Sequence, residues 1–198
     1  MHYPKFLPIF WNKYDELVRK LASNIIRSNI QLDRIIGISR CGLTLGHVLS
    51  DLLQLPVSIL GLKSYVDIQK QGYMQITQRL GTVIKNENIL LVDGIADSGK
   101  TLTFATQVLK RCKPCSISTA TLFLKPYSTV RPTFYVKQTD RWILFPYETT
   151  EWITTFIRQM KKEHKSSKSI RDFLLNTGFT KEQQIFVYRH HFRKDHTR

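Results

Sequence analysis

The chain has 198 residues, 42% of them hydrophobic; 30 Lys and Arg oppose 15 Asp and Glu, giving a net charge of +15 and a pI near 9.9. That is enough chain for one ordinary domain, or one domain with an appendage, and for a core that needs no staples. Apolar runs such as Ile89-Leu90-Leu91-Val92 are too short to span a bilayer. Met1-His2-Tyr3-Pro4-Lys5 lacks the charged start and apolar stretch of a signal peptide, so a cytoplasmic protein without membrane attachment is expected.

Three cysteines, an odd number, argue against a disulfide framework. Cys112 and Cys115 form a CxxC, but no second pair stands at zinc-site spacing, and this pair follows a helical stretch instead of opening one. His190, His191 and His196 sit near the chain end, where histidines are ordinarily solvated. The charge excess favours phosphate-rich partners. Residues 1–148 carry +9 and residues 149–198 carry +6, so the tail is about twice as dense in excess charge.

In chain order, Phe10, Tyr14, Leu17, Val18, Leu21, Ile25 and Ile26 predict an amphipathic helix over 10–27. Residues 34–38 read as a short buried strand, 44–54 as a second helix, and 56–62 as a second strand. Residues 64–87 are polar and read as a long loop or floppy hairpin. Residues 88–92 are a third strand, about 100–111 a helix, and 116–124 a fourth, β-branched strand. This alternation implies a parallel sheet with crossover helices, whose ligands bind beyond the carboxyl ends of the strands. Two segments fall there: Ser39–Thr44 and Asp93–Thr101. In the tail, Thr149 or Thr150 is expected to cap a helix, 161–169 to be a basic linker, Ser169 to cap a short helix ending at Gly178, and Thr180 with Gln183 to open a last helix through a capping box.

Gly94-Ile95-Ala96-Asp97-Ser98-Gly99-Lys100-Thr101 satisfies the P-loop pattern GxxxxGK[ST]. Against an ATPase stand the lack of a downstream strand ending in Asp, the acid Asp97 inside the loop, and Asp93 at the strand end. Ser98–Thr101 instead offer hydroxyls and N–H groups at a helix N-terminus, a nest for a single phosphate.

The wider window, Ile89 to Leu102, resembles the phosphoribosyl pyrophosphate signature of type I phosphoribosyltransferases. It departs at Gly94, where the family usually carries a second acid, and that departure completes the P-loop pattern. Gly37-Ile38-Ser39-Arg40-Cys41-Gly42-Leu43 resembles the family's pyrophosphate loop, with Cys41 in place of a glycine. The resemblance covers about residues 8–148 and is closest to the xanthine-guanine and hypoxanthine branch. Arg19-Lys20-Leu21-Ala22-Ser23, Lys125-Pro126 and Trp142-Ile143-Leu144-Phe145-Pro146-Tyr147-Glu148 carry that part of it.

The resemblance implies an α/β fold: a parallel sheet flanked by helices, a small hood at about 125–148, a flexible loop at about 64–87 opening at Ser64-Tyr65, and a basic helical extension at 149–198. The implied activity is a pentosyl transfer in purine salvage, from phosphoribosyl pyrophosphate to a 6-oxopurine (hypoxanthine, guanine or xanthine), giving a nucleoside 5′-monophosphate and pyrophosphate. Mg²⁺ is the implied cofactor, with Asp93 an indirect ligand.

Ser39, Arg40, Cys41, Gly42, Asp93, Asp97, Ser98, Gly99, Lys100 and Thr101 would bind phosphoribosyl pyrophosphate. Arg40 would serve the leaving group across a Ser39–Arg40 cis peptide, and Asp97 the proton at purine N7. Lys125 would read O6, Trp142 stack on the base, Ile143 offer its backbone, and Glu148 hydrogen-bond or cap. A homodimer or higher homo-oligomer is expected. The alternative is a binding or regulatory protein on the same fold, its basic tail holding nucleic acid or a protein partner.

Overall fold

The computed structural model describes residues 5–67 and 70–192, with the backbone alone described within 64–73. Contacts divide the chain into two compact units: Asp15–Asp140, and the residues up to Tyr14 together with those from Arg141 onward. The sequence reading placed a boundary near residue 148; the contacts place residues 141–148 with the tail.

The larger unit is a six-stranded sheet in the order β4-β3-β2-β5-β6-β7. Its strands are β2 (Arg34–Ser39), β3 (Val57–Asp67), β4 (Lys70–Gln78), β5 (Asn88–Ala96), β6 (Ser116–Leu124) and β7 (Phe134–Gln138). All neighbours are parallel except β3 and β4, an antiparallel pair. Helix α2 (Cys41–Leu53) links β2 to β3, and α3 (Lys100–Lys110) links β5 to β6. Since the chain turns one way from β2 and the other way from β5, the topological switch point falls between these two strands.

Side chains alternate across β5. Ile89 and Leu91 join the core under α3 with Leu102, Ala105 and Leu109. The opposite face of β5 meets α2: a Cβ on Gly46 would lie 3.4 Å from Val92 Cγ2. Ile89 through Val92 are all fully buried, which is why this strand reads as a continuous apolar run. Helix α1 (Trp11–Arg27) buries Tyr14, Leu17, Val18, Leu21 and Ile25 of the predicted stripe and Ala22 besides, whereas Phe10, which precedes the helix, and Ile26 are exposed.

Three expectations for this unit change. β5 does not stop at Val92; its ladder with β6 continues through Asp93↔Thr121 to Ala96↔Leu124. α2 begins at Cys41 rather than at residue 44, because only Arg40 separates it from β2. The polar stretch after Leu62 resolves into the β3–β4 hairpin followed by an irregular segment to Glu87. Ser64 and Tyr65 pair with Met74 and Tyr73 in that hairpin; their side chains lie outside the described residues.

The second unit contains β1 (Phe6–Pro8), paired in parallel with β8 (Trp142–Leu144), a 3₁₀ turn at Pro146–Glu148, and helices α4 (Thr149–Lys162), α5 (Ser167–Asn176) and α6 (Lys181–Val187), with a π turn over Tyr188–Phe192. The helices of the tail share a packed core. Leu144, Ile153, Phe156, Ile157, Met160, Leu174, Phe179 and Val187 form that core, and Phe6 packs against it. Gly178 adopts φ +101, and a Cβ there would come within 2.7 Å of the Phe10 ring, so only glycine fits.

Two caps move. Thr149 is the first residue of α4, not its cap; its hydroxyl donates to Pro146 O at 3.0 Å. Ser166 caps α5 by accepting from Ser169 N–H at 3.2 Å, three residues before the expected start. That register adds a turn ahead of Ile170, which is buried. The capping box at Thr180 and Gln183 is present in both directions. Arg193, Lys194 and His196 lie outside the described residues.

Candidate active site

The two segments expected to carry chemistry open helices at the carboxyl ends of β2 and β5, neighbours at the switch point. The first is held by close backbone approach. A Cβ on Gly42 would lie 2.3 Å from Val92 O, and one on Gly37 would lie 2.6 Å from Gly42 O. Both glycines therefore let the start of α2 seat directly on β5, beside Asp93. The Ser39–Arg40 peptide is cis, at the position the resemblance implied. Arg40 is exposed and sits at the N-cap of α2 with φ −91. Cys41, which stands where a glycine was expected, is the first helical residue and is not among the described residues with positive φ. The side chain costs nothing in backbone strain there.

The second segment is tighter than a P-loop. Gly94 lies inside β5 and its N–H donates to the Asp93 carboxylate at 2.7 Å. Only Asp97, Ser98 and Gly99 remain between β5 and α3. Three residues cannot form the wrap that the eight-residue nucleotide loop requires, so the P-loop match is accidental. Gly99 takes φ +87, and a Cβ there would lie 2.9 Å from Val130 N. Positive φ and that approach both demand glycine. Beyond it lies the N-terminus of α3, where Lys100 N–H donates to Ser98 Oγ at 3.4 Å and Ser98 and Lys100 are exposed.

The segment after β6 closes over this turn. Lys125 N–H donates to Ala96 O at 2.9 Å, and Thr129 donates to Ser98 O through its N–H (3.2 Å) and its hydroxyl (2.8 Å). Lys125 is 6% exposed, and its Nζ donates to Asp140 O at 3.1 Å. It is not the solvated lysine that its residue type would suggest. Tyr127 donates its phenol to Asp97 Oδ1 at 2.6 Å. That bond, with some desolvation and the carboxylate's charge, pushes the Tyr127 pKa up to about 12. Tyr127 and Thr129 were not identified from the sequence. The sole signal was that both follow Lys125-Pro126, directly after a strand.

The larger unit thus brings together Ser39, Arg40, Cys41, Gly42, Asp93, Asp97, Ser98, Gly99, Lys100, Thr101 and Lys125. Trp142, Ile143 and Glu148 belong to the other unit. Trp142 is 50% exposed and meets Trp152 edge-on at 5.9 Å. Trp142 N–H bonds Lys5 O and Leu144 O accepts from Ile9 N–H, each at 2.9 Å. Because alternate residues of a parallel strand address its neighbour, the Ile143 N–H and C=O point to the open edge of β8. Glu148 accepts from the Trp152 indole at 3.4 Å. Among the described residues, no group of three or more His, Cys, Asp or Glu is placed to hold a metal ion, and no helix is long and apolar enough to cross a membrane.

Residues 11–152 match the family described as "Phosphoribosyl transferase domain". The chain is similar to a solved purine phosphoribosyltransferase from Pyrococcus horikoshii, with 29% identity and a TM-score of 0.67 over 72% of this chain and 93% of that one. It is 31% identical over 94 residues to a hypoxanthine/guanine phosphoribosyltransferase from Methanothrix soehngenii, covering 44% of this chain and 50% of that protein. It is 25% identical over 143 residues to a xanthine-guanine phosphoribosyltransferase from Idiomarina loihiensis, covering 71% and 85% respectively. The match spans about half the length of the Methanothrix protein and of a second archaeal relative from Methanopyrus kandleri. With the family match extending over most of the chain and the sheet, switch point and helix-opening turns in place, the protein belongs to the phosphoribosyl transferase domain family.

Proposed function

We propose that the protein transfers the phosphoribosyl group of phosphoribosyl pyrophosphate to a 6-oxopurine, releasing pyrophosphate and a nucleoside 5′-monophosphate. The observation that carries this is the pair of helix-opening turns at the ends of β2 and β5. One bears Arg40; the other bears Ser98–Thr101 on a helix N-terminus. Two anion sites flanking one switch point suit a ligand with a phosphate at one end and a pyrophosphate at the other.

The β2 turn receives the pyrophosphate. Arg40 offers charge-assisted hydrogen bonds to the leaving group, where charge grows in the transition state. The 5′-phosphate rests on the first turn of α3. Asp93, turned toward Gly94 N–H, accepts from ribose hydroxyls. The Asp97 carboxylate faces N7 of the base and manages its proton. The Lys125 ammonium can only donate, so it favours a 6-oxo over a 6-amino purine. The printed names of the hypoxanthine/guanine and xanthine-guanine relatives support the same substrate class. Trp142 keeps a half-exposed ring and Ile143 outward backbone groups, the features a base contact would need. Glu148, engaged with Trp152, orients that neighbouring indole. The β3–β4 hairpin leaves the same end of the sheet, since Ser39 pairs with Gly61, and is the element that excludes water from a cationic transition state.

The donor set fits Mg²⁺ in one way. Mg²⁺ takes oxygen ligands and commonly uses one carboxylate plus substrate phosphates. Asp93, next to Gly94 where the family usually carries a second acid, would hold the ion indirectly. When bound, that ion would neutralise the leaving group.

The test is direct. The protein is incubated with phosphoribosyl pyrophosphate, Mg²⁺ and hypoxanthine, guanine, xanthine or adenine in turn, and monophosphate is measured. The 6-oxopurines should react and adenine should not. Asp97→Ala should lower turnover by about 10²-fold or more. Silence with every base would move the assignment to a binding protein on this fold, and unchanged turnover in Asp97→Ala would remove Asp97 from the mechanism.

A further inference from the structure

Outside residues 11–152 the tail carries a feature that phosphoribosyl transfer does not use. A groove of about 830 Å³ is lined by α5 and α6, with Lys161 of α4 also in its lining. Ser167, Arg171 and Leu175 recur every fourth residue along α5 and form one wall. Lys181 and Ile185 of α6, followed by Arg189, form the other. The lining is thus an apolar floor, with Leu175 39% and Ile185 56% exposed, under a cationic rim. Lys161, Arg171, Lys181 and Arg189 face a single lining acid, Asp172. Among the described residues, Arg171, Lys181 and Arg189 make no ion pair.

We infer that this groove docks an acidic amphipathic helix of a partner protein, its apolar face on Leu175 and Ile185 and its carboxylates on the arginine and lysine rim. Exposed aliphatic side chains paired with unneutralised cations ask for an occupant that is apolar on one side and acidic on the other. Charge disposes of the nearer candidates. A second copy brings +15 of its own, and residues 193–198 of this chain, Arg-Lys-Asp-His-Thr-Arg, are net basic. Nucleic acid fits the cations but not the floor. Bases need an open aromatic face. The Phe192 ring is already covered by Lys161 (5.1 Å) and Arg158 (5.9 Å), and Tyr188 tilts against Phe192 at 5.9 Å.

The experiment uses the full chain. A random peptide library is selected on the protein and counter-selected on Ile185→Glu, a change at an exposed position that is not among the residues assigned to transfer. Selected peptides should carry apolar residues at i, i+3 or i+4, and i+7, with Asp or Glu between them. As synthetic peptides they should bind about tenfold or more weakly to Ile185→Glu and to Arg171→Glu, and more weakly as salt rises. Phosphoribosyl transfer should be unchanged in both variants, which separates this docking reading from the catalytic one. The inference is overturned if no peptide discriminates the wild type from Ile185→Glu, if the winners are neutral or basic, or if an oligouridine binds more tightly than the winners and loses affinity in the same two variants.

Discussion

Tyr127 donates to Asp97 over 2.6 Å from a position that is 62% exposed, so the bond is built by the local turn rather than by burial. Deprotonating the phenol would forfeit its hydrogen bond to Asp97 and, to a lesser degree, leave a partly desolvated anion beside a carboxylate, which is why its pKa is pushed up to about 12 from 10.0. The sign of the linkage follows. A group whose folded pKa is raised contributes stability that is fully present below the unfolded value and fades as pH rises through the folded one. The contribution should therefore be intact below about pH 10 and lost by about pH 12, and Tyr127→Phe should flatten the alkaline limb of a stability–pH profile. Asp97→Asn, which removes the charge, should bring the tyrosinate absorbance transition of Tyr127 back toward 10; a transition that stays near 12 would mean burial holds the phenol. Asp97 was legible because its motif is local and consecutive. Tyr127 was not, because it reaches Asp97 from 30 residues away, and no periodicity records which loop folds over which.

Helices and strands divide along the same physical line. α1, β6 and the capping box of α6 were readable because each rests on spacing within one segment. The continuation of β5 to Ala96 was not, because residues 93–96 join the strand only through their partners on β6. Polar Asp93 and flexible Gly94 carry no strand propensity of their own. The seat of α2 is likewise a matter of neighbours: glycine at positions 37 and 42 exists so that backbone can meet backbone. Gly42→Ala would drive a methyl into Val92 O, a backbone atom that cannot rotate away. It should cost about 1–3 kcal/mol in denaturant unfolding. It should also lower turnover through displacement of Arg40. Thr180→Ala removes the hydroxyl that accepts from Gln183 N–H, while the Thr180 backbone N–H keeps its bond to Gln183, and should cost about 1 kcal/mol, read as faster amide exchange in the first turn of α6.

At the scale of the whole molecule, the net charge of +15 is spread over both compact units. Arg40, Lys100 and Lys125 sit with the helix-opening turns at the ends of β2 and β5, whereas Arg171, Lys181 and Arg189 line a groove on a module with its own core. That module was the least legible part. It is assembled from the two ends of the chain, through strands of three residues each, Phe6–Pro8 and Trp142–Leu144, too short to show alternation. A cut at residue 148 divides Leu144 from Ile153, Phe156 and Leu174, with which it shares one core. Leu174 tests this assembly, being fully buried at the centre of that core. Leu174→Ala should destabilise by about 2–5 kcal/mol through lost burial and the cavity it leaves. If the ends of the chain form one cooperative unit, amide protection should fall together in β1, β8, α4 and α5. Protection lost in α4 and α5 alone, with β1 and β8 unchanged, would show that the paired strands stand without the helices and that the tail is an appendage after all.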